Sequence, residues 1–198
     1  LLYPLIFNVN LFDFHPDVIA FAAILFALLA AYRNQLIGFT VAVIVILSCK
    51  AVFSLTVAAM GVWLLVFKKK RNYGIIALSL GTAWFLLTTQ LIIPMFKGGE
   101  EPSAVGRYAY LGNSTLEIIK NLFLKPRLVF THLFTSTNLG YIILLCFPLI
   151  WGISIYHLSP LVATLPALAI NLLTEYSAQK DLIHQYSLPI LPSSSSLL

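Results

Sequence analysis

The chain has 198 residues, 60% hydrophobic and only 10% charged, with a mean hydropathy of +0.93. Soluble domains run at about 45–50% apolar and about 25% charged, so a soluble enzyme is excluded and an integral membrane protein is expected. The net charge of +5 is no nucleic-acid signal, because four of the twelve basic residues form one block, Lys68-Lys69-Lys70-Arg71, between apolar runs; such blocks anchor cytoplasmic helix ends.

In chain order, the opening Leu1-Leu2-Tyr3-Pro4 has no charged region before an apolar core. No signal peptide is therefore expected in this chain, which reads as an internal piece of a longer protein. A polar stretch, Asp13-Phe14-His15-Pro16-Asp17, precedes the first apolar run. Such runs recur over 18–32, 36–49, 51–67, 73–96, 141–156 and 161–174. A spanning helix needs about 20 residues, with a range near 17–25. The runs 51–67 and 73–96 meet that length. Those at 18–32, 36–49 and 161–174 are short, and are expected to be tilted, partly re-entrant or capped by ordered polar ends. Pro16, suited to a first helical position, lengthens the first of them.

With Lys68–Arg71 inside, as the positive-inside rule requires, the other segments follow by counting. Arg33 and the His157-Leu158-Ser159-Pro160 turn fall inside; Asp13–Asp17, 97–138 and 175–186 fall outside, with Lys50 near the outer surface. All seven acidic residues then lie on outward segments. The expected fold is all-α: one integral membrane domain over 1–198, a polytopic helix bundle of about six transmembrane passes. Short interfacial helices occupy one long outer loop, 97–138. Within it, Lys97-Gly98-Gly99-Glu100-Glu101-Pro102 is a turn-rich lead, and Ser114-Thr115-Leu116-Glu117 is a capping box. Leu116, Ile119, Leu122 and Phe123 recur at helical spacing. Lys125-Pro126 ends that helix, and 128–134 begins a second short one; both are read as lying in the interface. No internal repeat stands out, and 193–198 is a low-complexity tail. Cys49 and Cys146 have no metal or redox spacing and are expected to be free thiols.

Four polar groups are candidates for chemistry. In an extended segment Asp13, His15 and Asp17 project to one side, an arrangement that can bind a divalent cation or hold a general base; alternatively Asp17 only favours the positive end of a helix dipole. Lys50 stands between two apolar runs, where an ammonium is costly unless it snorkels or meets an anion, such as a lipid phosphate. Arg107, flanked by small residues and by Tyr108 and Tyr110, offers a planar fork for phosphate beside aromatic faces suited to sugars; the alternative is an aromatic belt with one snorkelling arginine. Finally, the stretch from Glu175 to Tyr186 is dense in hydrogen-bonding groups and includes His184, Gln185 and Tyr186, with His184 either an acid–base group or a surface residue. His132 and His157 read as structural. There is no P-loop, dinucleotide fingerprint, Ser/His/Asp signature or zinc spacing.

Phe12-Asp13-Phe14-His15-Pro16-Asp17, Leu47-Ser48-Cys49-Lys50, Gly61-Val62-Trp63-Leu64-Leu65, Ala83-Trp84-Phe85, Tyr108-Ala109-Tyr110-Leu111-Gly112 and His184-Gln185-Tyr186-Ser187-Leu188-Pro189 form a series. It resembles a bacterial family of predicted multi-pass membrane proteins, domain of unknown function DUF2079, over nearly the whole chain. That family is similar in layout to the C superfamily of membrane glycosyltransferases, which take sugars from polyprenyl-phosphate donors on the outer side of the bacterial plasma membrane. The resemblance implies a catalytic acid on an outer loop upstream of residue 1. Asp13 and His15 would then orient the acceptor or an ion, Lys50 and Arg107 would hold the carrier phosphate, and Tyr108, Tyr110, His184, Gln185 and Tyr186 would contact substrate. The family usually continues the lysine with Glu-Asp, where this chain has Ala51-Val52. A transporter or lipid-handling scaffold is the alternative, although the ionisable groups sit at helix ends rather than near the midplane.

Overall fold

The computed structural model describes residues 15–98, 102–147, 159–181 and 184–190. Among them every regular element is helical. α1 (Pro16–Tyr32) and α2 (Leu36–Cys49) form a hairpin, with Pro16 in the first turn of α1 as expected. Asn34 makes the reversal at a φ of 59°, a left-handed conformation that asparagine tolerates better than most residues. The hairpin is closed at its other end by the ion pair between Lys50 and Asp17.

Two lysines of the basic block have structural partners. Lys70 donates from Nζ to the Ala31 carbonyl and to Asn34 Oδ1, both at 2.6 Å, a second donor to a carbonyl that the Asn34 amide also reaches at the end of α1. Lys68 lies 5.4 Å from the ring centroids of both Tyr32 and Trp63. The block therefore fastens the end of α1 to the turn of the next hairpin, as well as supplying charge.

That second hairpin pairs α3 (Phe53–Val66) with α4, a continuous helix over Arg71–Phe96. Helices in lipid gain little from apolar burial and associate through close packing of small residues. Gly81 shows how close: a Cβ there would lie 2.7 Å from the Ala58 nitrogen and from the Ser54 carbonyl. Near its end α4 widens into a π turn, Thr88–Ile92. The Thr88 and Thr89 hydroxyls bond back to Trp84 O and Phe85 O at 2.7 Å. The widening stands just before Pro94, whose missing amide interrupts the α ladder.

Beyond α4 come α5 (Thr115–Leu124), α6 (Pro126–Leu133) and α7 (Ser136–Cys146). α8 (Leu165–Leu173) follows a 3-10 turn, Ser159–Thr164. Trp63 Nε1 donates to Ser159 Oγ at 3.3 Å, which sets the start of this last segment beside the end of α3. The core lies among α1 to α4, around Phe39, Ile46, Phe53, Val57 and Trp63, each at most 1% exposed. Ile37, Leu91 and Phe96 stand outward at 83%, 60% and 85% exposure. Helices apolar on every side suit lipid surroundings.

Length separates the helices. α4 has 26 residues and reaches about 39 Å at 1.5 Å per residue, more than the roughly 30 Å of a bilayer core. It is, among the described residues, the one helix whose length and hydropathy alone suit a full crossing; α6 and α7 reach that measure only as a pair, bent by 60°. The 51–67 run, expected to span, is helical only over Phe53–Val66, 14 residues, or about 21 Å. Residues at both of its ends are drawn into polar contacts instead of helix. The Ala51 carbonyl accepts from the Ser54 hydroxyl, and Lys68 and Lys70 make the contacts described above. The expected 141–156 pass extends partly outside the described residues, as does His157.

Candidate functional site: an arginine between two tyrosines

Between residues 102 and 138 the chain is largely helical, and its polar side chains explain why. Ser114 accepts from the Glu117 amide at 3.2 Å, while the Glu117 carboxylate turns back to the Asn113 amide at 2.9 Å. This is the capping arrangement read from the sequence, reaching one residue further upstream. The Asn121 side chain donates to the Leu111 carbonyl and holds the loop against α5.

A helix leaves its last four carbonyls without intrahelical partners. For α8, three of these are met by side chains from elsewhere. Tyr108 donates to Ile170 O at 3.0 Å, Asn138 Nδ2 to Leu172 O at 2.9 Å, and Tyr110 to Leu173 O at 2.7 Å. Asn138 also donates to His132 O at 2.7 Å and Leu133 O at 3.0 Å, pinning the α6–α7 bend to the same place. The Tyr110 ring stacks on His132, with centroids 3.7 Å apart. Burial, with Glu175 adding to it, pushes the Tyr110 hydroxyl up to about 12. Burial raises Tyr108 as well, against the hydrogen bonding of Gln179 and Thr174. Both phenols thus act as neutral donors.

On this frame sits Arg107, at the end of the 3-10 turn Ser103–Tyr108. Its carbonyl accepts from the Glu175 amide at 3.1 Å, so the loop and the segment after α8 are joined through backbone. Its guanidinium carbon lies 4.7 Å from the Tyr176 ring centroid and 5.4 Å from that of Tyr186. The two rings meet edge to face at 87°. One nitrogen, Nη1, donates to Gln179 Oε1 at 3.0 Å. Gln179 is 3% exposed and is fixed in turn by the Thr174 hydroxyl at 2.9 Å and Asn171 at 3.4 Å. Asn171 donates to the Tyr141 hydroxyl at 2.9 Å and to Tyr186 O at 3.1 Å. The Tyr141 hydroxyl also bonds Ser187 at 2.8 Å, which carries the network to α7. Arginine has five N–H donors in a rigid fork. Among the described residues no carboxylate stands within ion-pair distance of Arg107, and the residue is partly open to its surroundings.

The other candidates are placed differently. Lys50 is engaged by Asp17, whose side chain is only 5% exposed. His15 is the N-cap residue of α1, partly exposed, and its side chain makes no capping bond. Asp13 and the side chain of Gln185 lie outside what the structure describes. Among the described residues no three His, Cys, Asp or Glu side chains gather as a metal-binding group. His184 is exposed and its Nδ1 contacts the Asp181 carboxylate at 2.8 Å. Its ring centroid lies 6.4 Å from that of Tyr186. Burial lowers the neighbouring Lys180 from the usual lysine value, with Glu175 opposing.

Arg107, Tyr108, Tyr110, Tyr186 and, at the edge, His184 are therefore gathered by one end of α8, whereas Lys50 and Asp17 mark the open end of the first hairpin. Tyr141 and Asn171 are absent from the sequence reading; an asparagine inside the apolar 161–174 run is the signal that could have found this internal polar contact.

No curated protein and no solved structure matches the chain significantly. A family model described as predicted membrane protein, DUF2079, matches residues 1–194, and the chain belongs to that family of membrane proteins.

Proposed function

We propose that this chain binds a polyprenyl-phosphate-linked sugar at the extracytoplasmic face of the bacterial inner membrane and takes part in transferring the sugar, as a glycosyltransferase-like protein. In this reading the chain makes about six passes, several through helices shorter than the bilayer core, about which the bilayer thins, with Lys68–Arg71 cytoplasmic and Asp17, Lys50 and Arg107 outward. One observation carries the proposal: Arg107 is held between Tyr176 and Tyr186, with spare guanidinium donors and no carboxylate upon it among the described residues. A guanidinium so placed is matched to phosphate oxygens, and tyrosine faces beside it suit a sugar ring.

In the transfer, an acceptor hydroxyl attacks the anomeric carbon, and the bond from that carbon to the phosphate oxygen breaks. The electron pair leaves with the phosphate, where Arg107 stabilises the charge that develops. The acceptor proton goes to Asp13 as general base, with His15 orienting the acceptor. Lys50, already balanced by Asp17, acts on the hairpin more than on the phosphate. A divalent cation near Asp13 and His15 is compatible with this scheme but is not required by it.

A scaffold or transporter that binds the lipid without breaking a bond is the second reading. It is favoured by the commitment of the Tyr108 and Tyr110 hydroxyls to backbone carbonyls. The test uses the complete protein in membranes, a labelled polyprenyl-phosphate sugar, and two readouts, retained lipid and transferred label. Arg107→Ala is expected to lower transfer by about 10²-fold, with Arg107→Lys only partly restoring it. Retention without transfer in the unaltered protein selects the scaffold. Retention and transfer both unchanged in Arg107→Ala remove the phosphate site.

A further inference from the structure

The α5–α6 hairpin has one face that nothing in the site uses. Its inner side is spent on the loop: Asn121 holds Leu111, and His132 stacks on Tyr110. Outward stand Phe123, Leu124, Phe130 and Phe134, at 80%, 64%, 58% and 82% exposure. On a helix, residues three and four apart share a side. Lys120 therefore accompanies Phe123 and Leu124 on α5, and Arg127 accompanies Phe130 on α6, with the Phe134 ring, at the C-cap, stacked 6.1 Å from Phe130. Lys125 joins the two helices. All three cations are exposed, and among the described residues none has an ion-pair partner. The one acid in the hairpin, Glu117, is turned back onto the Asn113 amide. The face is thus apolar and cationic with its acid withdrawn. α6 is also bent 60° away from α7, so if α7 crosses the bilayer α6 lies well off that direction, nearer the membrane plane.

We infer that the α5–α6 hairpin docks on anionic phospholipid: Phe123, Leu124, Phe130 and Phe134 enter the acyl boundary while Lys120, Lys125 and Arg127 meet headgroup phosphates. Long basic side chains beside buried apolar ones reach the headgroups in this way. The chain belongs to a family of membrane proteins, so a leaflet already stands beside this hairpin, and an apolar face rimmed by cations is complementary to anionic headgroups over acyl chains. The consequence for the site is mechanical. Tyr110 and Asn138 tie this hairpin to the end of α8, so its seating in the leaflet sets the height at which Arg107 faces a lipid phosphate. The inference does not depend on sugar transfer.

The test places a fluorophore at Phe123→Cys or at Phe130→Cys in the full chain, with Cys49→Ser and Cys146→Ser, one copy per lipid nanodisc. Discs are phosphatidylcholine alone, or phosphatidylcholine with phosphatidylglycerol in equal parts, each with a nitroxide-bearing lipid as quencher. Severalfold stronger quenching in the phosphatidylglycerol discs is expected. The triple variant Lys120→Gln, Lys125→Gln, Arg127→Gln is expected to fall to the phosphatidylcholine level, and the corresponding triple change to Glu below it. Equal quenching in both lipids overturns the anionic preference. Quenching only by a water-soluble agent, or only when discs carry several copies, overturns lipid as the occupant. The three substituted side chains are exposed, so loss of folding does not confound the result.

Discussion

The ion pair between Lys50 and Asp17 gives the sharpest quantitative test, because its two members are buried unequally. Asp17 keeps 5% of its side-chain surface, whereas Lys50 keeps 32%. Removing one partner of a buried pair typically costs about 3–5 kcal/mol, since the other is left charged and uncompensated. Lys50→Met strands the carboxylate, whose short side chain is 5% exposed. A loss of about 3 kcal/mol is expected. Asp17→Asn strands an ammonium that is a third exposed on a four-carbon stem, free to reach the headgroups, so about 1 kcal/mol is expected. Together the two changes leave no charge, and the double variant is expected to lie within about 1 kcal/mol of the parent. The coupling energy is then about 3 kcal/mol. The assay is reversible unfolding in mixed detergent micelles titrated with dodecyl sulfate, run on the four members of the cycle. Simple additivity, or a larger loss from Asp17→Asn than from Lys50→Met, would refute the assignment of this pair as the clasp of the first hairpin.

Two further outcomes follow from the packing and from the loop. Gly81→Ala puts a methyl group 2.7 Å from backbone atoms of α3, which cannot rotate aside, and is expected to cost about 1–3 kcal/mol in the same titration. Gly140→Ala meets nothing within 4 Å and is expected to be neutral or stabilising by up to about 1 kcal/mol. Equal effects at the two positions would contradict the close α3–α4 contact. For Tyr110 the folded value, about 12, exceeds the ordinary value near 10. The stabilisation is therefore fully present below about pH 10 and is lost as the pH rises through about 12. Tyrosinate absorbance of the parent minus that of Tyr110→Phe should titrate near the upper value. A difference spectrum centred near the ordinary value would mean that the hydroxyl is not docked on Leu173.

Local signals carried much of this protein. The membrane class follows from composition, and the helix positions from apolar runs bounded by charge and proline, because lipid leaves the backbone few alternatives to helix. Pro16, the Ser114–Glu117 cap and the Lys125-Pro126 break were legible for the same reason: capping and proline chemistry act within a few residues. Tyr108, Tyr110 and Arg107 were recognisable as an unusual polar group on an apolar chain. Their partners were not. That Arg107 stands between Tyr176 and Tyr186, across 69 and 79 positions of sequence, depends on how the carbonyls at the end of α8 are satisfied. Likewise, nothing near Lys50 announces that Asp17 neutralises it, nor near Lys70 that it caps α1. Periodicity and turn chemistry fix which stretches become helix, but pairing of distant charges and hydrogen-bonding groups is set by helix packing, where burial penalises every polar atom left alone.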